Sequence, residues 1–250
     1  MASDMGMAVE TELGLVYGPS GKQLDVYRPA GAPRPAPTVL LWHGIGPDER
    51  DVLEPLARTA AAHGLLVLVP DWRSDAADGG RVHLLESLAF VRKEAGGLGG
   101  DGESCVLAGW SAGAGAALGV ALRPEIAEGW RPRAVVGVAG RYDLPARTTG
   151  TAPLTDLAGD RDPAVPVHLV HGSRDTVVEA RYSRDLDEAL RDAGRAVTLQ
   201  APDTDHAGVI MTAYDPATDR CVPTTAEHAV RAGRMVAGVV AEAGGGGGAV

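Results

Sequence analysis

Cysteine and aromatic residues are scarce in this chain of 250 residues. It has two cysteines, Cys105 and Cys221, and 4% aromatic residues with a single Phe. Two cysteines cannot form a disulfide framework and are too few for a structural zinc site, so we interpret both as small buried hydrophobic side chains. Because aromatic rings are few, the core must consist mainly of Val, Leu, Ile and Ala.

The chain also lacks a net positive charge and long apolar runs. Acidic residues outnumber basic ones by 33 to 23, and the formal net charge is −10. A field of this sign repels phosphate backbones and anionic lipid, which argues against nucleic-acid and membrane partners. No apolar run approaches the roughly 18 residues of a membrane span, and the segment from Met1 to Glu10 lacks the pattern of a secretion signal. We therefore expect a soluble, cytoplasmic protein.

What the chain does contain is an alternation of short apolar runs and amphipathic stretches, with 45% hydrophobic residues overall. The predicted strands are Leu13 to Tyr17, Leu24 to Tyr27, Thr38 to Trp42, Leu65 to Val69, Cys105 to Ala108, Ala134 to Val138, Val165 to Val170 and Ala196 to Leu199. The predicted helices are Asp51 to His63, Val82 to Glu94, Ala112 to Leu122, Glu179 to Ala193 and Thr225 to Val240. This order predicts an α/β fold, a doubly wound, mainly parallel sheet with helices on both faces. A Gly-Pro-Ser-Gly turn predicts that the first two strands form an antiparallel hairpin at one edge.

The residues that carry chemistry extend over most of the chain and must meet at one edge of the sheet. We therefore predict one domain over residues 1–243, followed by a flexible Gly-rich tail over residues 244–250. Residues 141–163 have no clear periodicity, and we interpret them as a small insertion over the carboxyl edge of the sheet, where α/β proteins place their sites. This insertion is too short for a large lid domain.

The pentapeptide Gly109-Trp110-Ser111-Ala112-Gly113 lies between a predicted strand and a predicted helix. That is the context of a G-x-S-x-G nucleophile elbow, in which a serine adopts strained backbone angles at a sharp turn. The flanking glycines remove side chains that would collide there. Ser111 is the predicted nucleophile, and the alternative is a glycine-rich turn whose serine only caps the helix.

A nucleophilic serine needs a general base, which a third group orients. Downstream of an elbow, the expected chain order is an acid and then a histidine. His206, in a polar loop after the last predicted strand, is the predicted base, and Asp175 is the predicted orienting residue. The rival orienting residues are Asp143, Asp203 and Asp205. We interpret the other histidines as structural: His43, His63, His83, His168, His171 and His228.

The segment from Trp42 to Gly46 ends another predicted strand beside the elbow. Backbone N–H groups fixed there would stabilise a developing oxyanion by about 3 to 4 kcal/mol per donor. The predicted donors are the N–H groups of Ile45 or Gly46, together with that of Ala112. The alternative is an ordinary glycine-rich turn between a strand and a helix. Aromatic residues near these loops are predicted to contact substrate, with packing as the alternative: Trp72, Trp110 and Tyr142.

Taken together, these motifs resemble the α/β-hydrolase superfamily, and within it small esterase-like and dienelactone-hydrolase-like members. The resemblance extends from about Leu24 to Val240. It is carried by His43-Gly44-Ile45-Gly46, Gly109 to Gly113, Gly172-Ser173-Arg174-Asp175 and Asp205-His206. It implies the α/β-hydrolase fold. Dienelactone hydrolases generally use a cysteine nucleophile, whereas this chain has Ser111 in the elbow.

The segment Asp71-Trp72-Arg73 also resembles the Asp-aromatic-Arg signature of hormone-sensitive-lipase-like esterases. By that likeness, Asp71 and Arg73 brace the site without reacting. The chain departs from the pattern of those esterases at Ile45, which replaces the second glycine of a His-Gly-Gly-Gly loop. It departs again at Trp110, where many of them have Asp.

The hypothesis from sequence is a serine hydrolase that cleaves a small carboxylic ester through an acyl-enzyme, without a metal ion or an organic cofactor. Its partner would be a small ester-like molecule, and the protein would be a monomer or a homodimer. An amidase or formamidase, a lactonase or an acyltransferase would use the same three residues. A non-catalytic ligand-binding protein on the same scaffold is a further alternative. The histidines are dispersed along the chain, which disfavours a metal-dependent hydrolase.

Overall fold

The structure, a computed structural model, describes residues 7–31, 34–159 and 165–245. Within those ranges, eight strands form one sheet in the order β1-β2-β4-β3-β5-β6-β7-β8. The strands are β1 Val9–Tyr17, β2 Lys22–Pro29, β3 Ala36–Trp42, β4 Leu66–Pro70, β5 Gly100–Trp110, β6 Ala134–Val138, β7 Val167–Val170 and β8 Val197–Gln200. The sheet therefore contains every strand that the sequence predicted.

The direction of the strands puts several loops at one edge of the sheet. Strands β3 to β8 pair in parallel, while β1 pairs with β2 and β2 with β4 in antiparallel fashion. The predicted hairpin at the sheet edge is thus confirmed. The loops that follow β3, β5, β7 and β8 all leave the carboxyl edge, where sites form in sheets of this kind.

Helices cover both faces of the sheet, as the sequence predicted. The helices are α1 Glu54–Ala61, α2 Arg81–Glu94, α3 Ala112–Leu122, α4 Pro153–Gly159, α5 Arg181–Asp192 and α6 Glu227–Ala243. Buried side chains of α1 and α6 belong to the core on one face, and those of α2, α3, α4 and α5 belong to the core on the other. Over the described ranges, no helix combines the length and the apolar character needed to cross a membrane.

Strand β3 shows how one sequence serves both cores. Its side chains point alternately to the two faces of the sheet. Leu40 and Trp42 join the core that contains α3, while Val39 and Leu41 join the core that contains α1 and α6. Burial on both faces is why this strand is apolar at consecutive positions and not only at alternate ones.

The structure differs from the prediction mainly at element ends and in short elements. The helix predicted from Asp51 begins as a short 3₁₀ turn, Arg50–Leu53, before α1 starts at Glu54. Sequence reasoning missed α4 and a small hairpin made of β9 Thr212–Asp215 and β10 Arg220–Pro223. Segments of four to seven residues are too short to establish a hydrophobic period. Residues 160–163 of the predicted insertion and residues 246–250 of the predicted tail lie outside the described residues.

Candidate active site

Ser111 sits at the tip of a sharp turn between β5 and α3. Its φ is +55° and its ψ is −118°, a backbone conformation that costs about 1 to 3 kcal/mol for a residue with a side chain. The backbone N–H of Ser111 donates a 2.8 Å hydrogen bond to the carbonyl oxygen of Val138, which anchors the turn to β6. The elbow predicted from the sequence therefore has the strained serine that such a turn requires.

The glycines on either side of Ser111 are needed because backbone passes very close to them. A Cβ on Gly109 would lie 2.2 Å from the carbonyl carbon of Gly113, and a Cβ on Gly113 would lie 2.4 Å from the carbonyl oxygen of Trp42. Neither neighbour is a flexible side chain that can move aside. The two glycines therefore let α3 start directly at the end of β5 and pack against the end of β3.

A histidine and a carboxylate meet beside this turn. Nδ1 of His206 lies 2.7 Å from Oδ2 of Asp175. The other oxygen of Asp175, Oδ1, accepts hydrogen bonds from the backbone N–H groups of Val177 at 2.9 Å and Val178 at 2.8 Å. Burial alone would raise the pKa of Asp175, but hydrogen bonds from His171 and His206 and from the Val178 N–H hold that pKa well below its usual range. Asp175 is therefore an ionised carboxylate, and Nδ1 of His206 carries the proton between the two groups.

The loops that carry these two residues are joined through their backbones. The N–H of Ser173 donates to the carbonyl oxygen of Pro202, and the N–H of Arg174 donates to that of Thr204, both at 2.9 Å. A Cβ on Gly172 would lie 2.5 Å from the Thr204 carbonyl oxygen, so only glycine lets the loops approach this closely. The histidine and the carboxylate are thus held together by the main chain as well as by their own contact.

Trp110 connects the histidine to the elbow. Its ring lies against the imidazole of His206, with ring centroids 5.0 Å apart, and its Nε1–H donates to the His206 carbonyl oxygen at 3.0 Å. Ser111 is the next residue along the chain. Among the residues that the structure describes, none hydrogen-bonds to the Ser111 hydroxyl. The structure therefore brings His206 and Asp175 into contact and packs Trp110, the residue before Ser111, against His206, with no hydrogen bond between Ser111 and His206.

The loop after β3 also lies against the elbow. A Cβ on Gly44 would be 3.5 Å from Cβ of Ser111. In the described part of the chain, the backbone N–H groups of Ile45 and Gly46 have no hydrogen-bond acceptor. The N–H of Ala112, at the first position of α3, has no partner within the helix. Unpaired N–H groups therefore lie in the loop after β3 and at the first residue of α3, next to Ser111.

His43 holds this loop in place. Burial lowers the pKa of His43 to about 3, so its imidazole is neutral. Nδ1 lies 3.0 Å from the carbonyl oxygen of Gly44 and must carry the proton, while Nε2 accepts a 3.1 Å hydrogen bond from the backbone N–H of Trp72. The indole of Trp72 stacks on this imidazole with ring centroids 5.2 Å apart. The histidine thus ties the loop after β3 to the loop after β4.

Ser111 opens into a cavity of about 600 Å³. That volume is in the range of small-molecule sites. Ser111, Ala112 and Ile45 form one part of the wall, and residues between Arg141 and Gly150 form another. Leu144, Val177 and Ile45 are exposed apolar side chains at this wall. The elbow, the loop after β3 and the segment after β6 therefore enclose a space that suits a small, partly apolar ligand.

Comparison with models of known protein families finds no match, and comparison with curated proteins finds none either. Solved structures do match over most of the chain. A thermostable esterase from Pseudomonas putida ECU1011 has a TM-score of 0.68 at 16% identity, covering 93% of this chain and 82% of its own. Esterase B from Lactobacillus rhamnosis, solved with a tributyrin phosphonate inhibitor, has a TM-score of 0.70 at 17% identity, covering 97% of this chain and 89% of its own. The chain has the α/β-hydrolase fold. A candidate dienelactone hydrolase from Klebsiella pneumoniae also matches, with a TM-score of 0.66 at 20% identity and coverage of 92% and 98%.

Within this α/β-hydrolase fold, the aromatic residues predicted to contact substrate lie elsewhere. Trp72 and Tyr142 are fully buried, and neither they nor Trp110 line the cavity. Trp72 and Tyr142 therefore match the packing alternative, because their rings are buried in the core and the structure does not bring them to the cavity wall. The cavity wall is made instead by aliphatic and charged residues that no motif marked, among them Leu144, Arg147 and Val177. Leu144 and Arg147 lie in the irregular segment after β6, and Val177 lies in the loop after β7.

The rival orienting residues make other contacts in the hydrolase fold. Asp143 pairs with Arg141 at 2.8 Å, and Asp203 pairs with Arg174 at 2.8 Å, both at the surface. Asp205 accepts a 2.7 Å hydrogen bond from the backbone N–H of Gly208 and so shapes its own turn. Each of these carboxylates therefore has a local structural partner, and Asp175 is the one in contact with His206.

The two residues predicted to brace the site form ion pairs with the segment that follows the β3 loop. Asp71 pairs with Arg50, and Arg73 pairs with Asp48 at 3.0 Å. Arg50 also reaches the buried carboxylate of Asp25 at 2.9 Å.

Over the described ranges, no three His, Cys, Asp or Glu side chains come together as a set of metal ligands.

Proposed function

We propose that this protein is a serine hydrolase that cleaves a small carboxylic ester, with Ser111 as nucleophile, His206 as general base and Asp175 as the residue that orients it. The observation that carries the proposal is a strained serine that opens into a cavity beside a buried histidine–carboxylate pair. Backbone strain at a serine destabilises the fold, and strained residues cluster at functional sites more than in purely structural turns. All three residues follow strands of one sheet, which supports one catalytic domain over residues 1–243.

The proposed reaction starts with proton transfer from Ser111. Its Oγ attacks the ester carbonyl carbon while Nε2 of His206 takes the hydroxyl proton, and a tetrahedral intermediate forms. This transfer needs Nε2 within about 2.6 to 3.2 Å of Oγ, a contact that commonly closes only when substrate is bound. The carbon–oxygen bond to the alcohol then breaks, and the imidazolium returns the proton to the leaving oxygen. Water attacks the acyl-enzyme by the same steps in reverse order and releases the acid.

The charges that develop in this reaction have partners in the structure. Asp175, which is ionised, stabilises the imidazolium of His206 and keeps its proton on Nδ1, so that Nε2 is free to act as base. The oxyanion is proposed to accept hydrogen bonds from the N–H of Ala112 and from that of Ile45 or Gly46. Ser111 also precedes α3, whose N-terminus favours negative charge.

The cavity supports a small substrate. Its volume of about 600 Å³ and its apolar residues Ile45, Leu144 and Val177 suit a short acyl or alcohol group. Amides, lactones and acyl acceptors other than water would use the same groups, so product analysis must separate these alternatives. The esterases among the matching solved structures support the choice of an ester as the first substrate to test.

The experiment is a panel of p-nitrophenyl esters of graded chain length, with lactones and amides in parallel. We expect turnover of the short esters by the natural sequence and loss of turnover in Ser111→Ala. Ser20→Ala, an exposed serine in the β1–β2 turn, is the matched control and should keep full activity. Turnover that survives in Ser111→Ala would exclude Ser111 as the nucleophile.

A further inference from the structure

A second histidine lies behind the carboxylate of Asp175. His171, at the end of β7, is fully buried, and its Nε2 lies 3.3 Å from Oδ2 of Asp175. The same nitrogen lies 2.8 Å from the carbonyl oxygen of Val178. On the other side of the ring, Nδ1 lies 2.7 Å from Oγ of Ser183 in α5. The proposed mechanism uses none of these contacts.

The neighbours of His171 determine where its proton is. Nε2 faces a backbone carbonyl and a carboxylate, and both of these groups only accept hydrogen bonds. Nε2 must therefore carry a proton. The hydroxyl of Ser183, which both donates and accepts, meets Nδ1 in either protonation state and fixes the orientation of the ring. Oδ2 of Asp175 thus lies 2.7 Å from Nδ1 of His206 and 3.3 Å from Nε2 of His171, whose proton is shared between the Val178 carbonyl oxygen and this carboxylate.

We propose that His171 is a positioning residue that shares the charge of Asp175 with His206, and thereby sets the pH at which His206 becomes an effective base. This inference rests on the proposed function. A carboxylate that already accepts a hydrogen bond from one donor stabilises a positive charge on a second donor less strongly. With His171 in place, the imidazolium of His206 is therefore less favoured than it would be against an unshared carboxylate.

Other ionisable groups around the two imidazoles are already engaged. Asp205, next to His206 in the chain, is turned towards the backbone N–H of Gly208. The phenol of Tyr142 lies close to Ser183, and burial raises the pKa of Tyr142 so that it stays neutral. The indole of Trp110, which covers His206, carries no charge. Asp175 is therefore the charged group through which His171 acts on His206.

The chain allows a matched pair of variants at this position. In His171→Gln, the amide nitrogen reaches the place of Nε2 and still donates to Asp175. In His171→Asn, the shorter amide reaches the place of Nδ1, keeps the contact with Ser183 and falls short of Asp175. Both variants are polar and of similar volume. His171→Gln keeps the donor that faces Asp175 and the Val178 carbonyl oxygen and loses the contact with Ser183, whereas His171→Asn does the reverse.

The readout is the acidic limb of kcat/KM for a short ester, together with the titration of the His206 imidazole followed by NMR. In His171→Asn, both midpoints should move to higher pH by about one unit, because the unshared carboxylate holds the imidazolium more tightly. In His171→Gln, both should stay close to those of the natural sequence. Equal midpoints in all three proteins, or equal displacement in both variants, would show that His171 only fills space.

A measurement on the natural sequence tests the inference without any variant. In nitrogen-15 spectra of the imidazoles, the His171 ring should carry a proton at Nε2. A His171 ring protonated at Nδ1 alone would overturn the proposal, because it could then donate nothing to Asp175. These spectra require no turnover. A protein that cleaves no ester would therefore refute the proposed function while leaving this test decisive.

Discussion

Replacing Asp175 by Asn tests how the buried carboxylate acts on His206. Oδ1 of Asp175 accepts two backbone N–H hydrogen bonds, so the amide oxygen of Asn will take that place and its NH₂ group will take the place of Oδ2. That NH₂ then faces Nδ1 of His206, which lies 2.7 Å from Oδ2 in the natural sequence. Two donors cannot face each other, so the proton of His206 moves to Nε2. In this tautomer Nε2 cannot accept the proton of Ser111.

The expected cost is large because the wrong tautomer abolishes the base while leaving the site in place. A carboxylate-to-amide change of this kind lowers turnover by about 10⁴-fold in serine hydrolases that use a triad, which is about 5 kcal/mol of activation free energy. Here the new NH₂ also faces the Nε2–H of His171, which adds to the mismatch. We therefore expect at least this loss of kcat/KM for a short p-nitrophenyl ester at pH 8.

The control is Asp203→Asn. Asp203 is an exposed carboxylate paired with Arg174 near the same loop, and the sequence made it a rival orienting residue. Its replacement should change kcat/KM by no more than about twofold, since surface ion pairs contribute little. A folded Asp175→Asn protein that keeps a tenth or more of its activity would refute the reasoning, and so would an equal loss in both variants.

Three further predictions concern stability. Because the pKa of Asp175 is held below its usual range, its contribution to the free energy of unfolding is complete above the unfolded pKa of about 3.9 and is lost as pH falls through the native value. The difference in urea unfolding between the natural sequence and Asp175→Asn should thus shrink as the pH falls below about 4. Gly113→Ala should destabilise the protein by about 1 to 3 kcal/mol, because the new Cβ would press against the Trp42 backbone. Gly238→Ala, where a Cβ meets nothing within 4 Å, should be neutral or stabilising. Similar melting temperatures for the two variants would contradict the close approach of Gly113 to Trp42. Arg50→Gln leaves the buried carboxylates of Asp25 and Asp71 unpaired and should lower the free energy of unfolding by about 3 to 5 kcal/mol. Arg58→Gln, at an exposed ion pair, should lower it by less than about 1 kcal/mol. Equal losses in chemical unfolding would contradict a special role for the buried ion pairs.

Much of the sheet could be predicted because its strands are apolar on both faces. Consecutive apolar residues such as those of β6, Ala134–Val138, have no other stable place than between two layers of helices. The ends of α1 and α6 and the short elements α4, β9 and β10 could not be predicted in the same way. Their positions depend on packing against distant parts of the chain, and a local pattern does not record such contacts.

The candidate site shows the same division. Motifs indicated which loops carry Ser111, Asp175 and His206, because glycine and polar residues at strand ends are visible in the sequence. The strain at Ser111 and the contact between His206 and Asp175 required coordinates. The direction in which a side chain points could not be predicted from the sequence. Trp72 and Tyr142 stand beside site loops in the chain, yet burial of their large apolar rings turns them inwards.

The wall of the cavity was missed for a related reason. Leu144, Arg147 and Val177 belong to irregular segments, in which neither period nor motif distinguishes a lining residue from a solvent-exposed one. His171 was interpreted as a structural histidine at a strand end. Its placement between Asp175 and Ser183 is visible only when β7 and α5 are seen together.

Catalysis as proposed depends on Ser111 being an activated nucleophile. The most direct test is to treat the protein with a small fluorophosphonate and to locate the adduct by mass spectrometry of its peptides. We expect one covalent adduct, on the peptide that contains Ser111, and no adduct in Ser111→Ala. An ester-cleaving protein that carries no adduct, or carries it on another residue, would show that Ser111 is not the nucleophile.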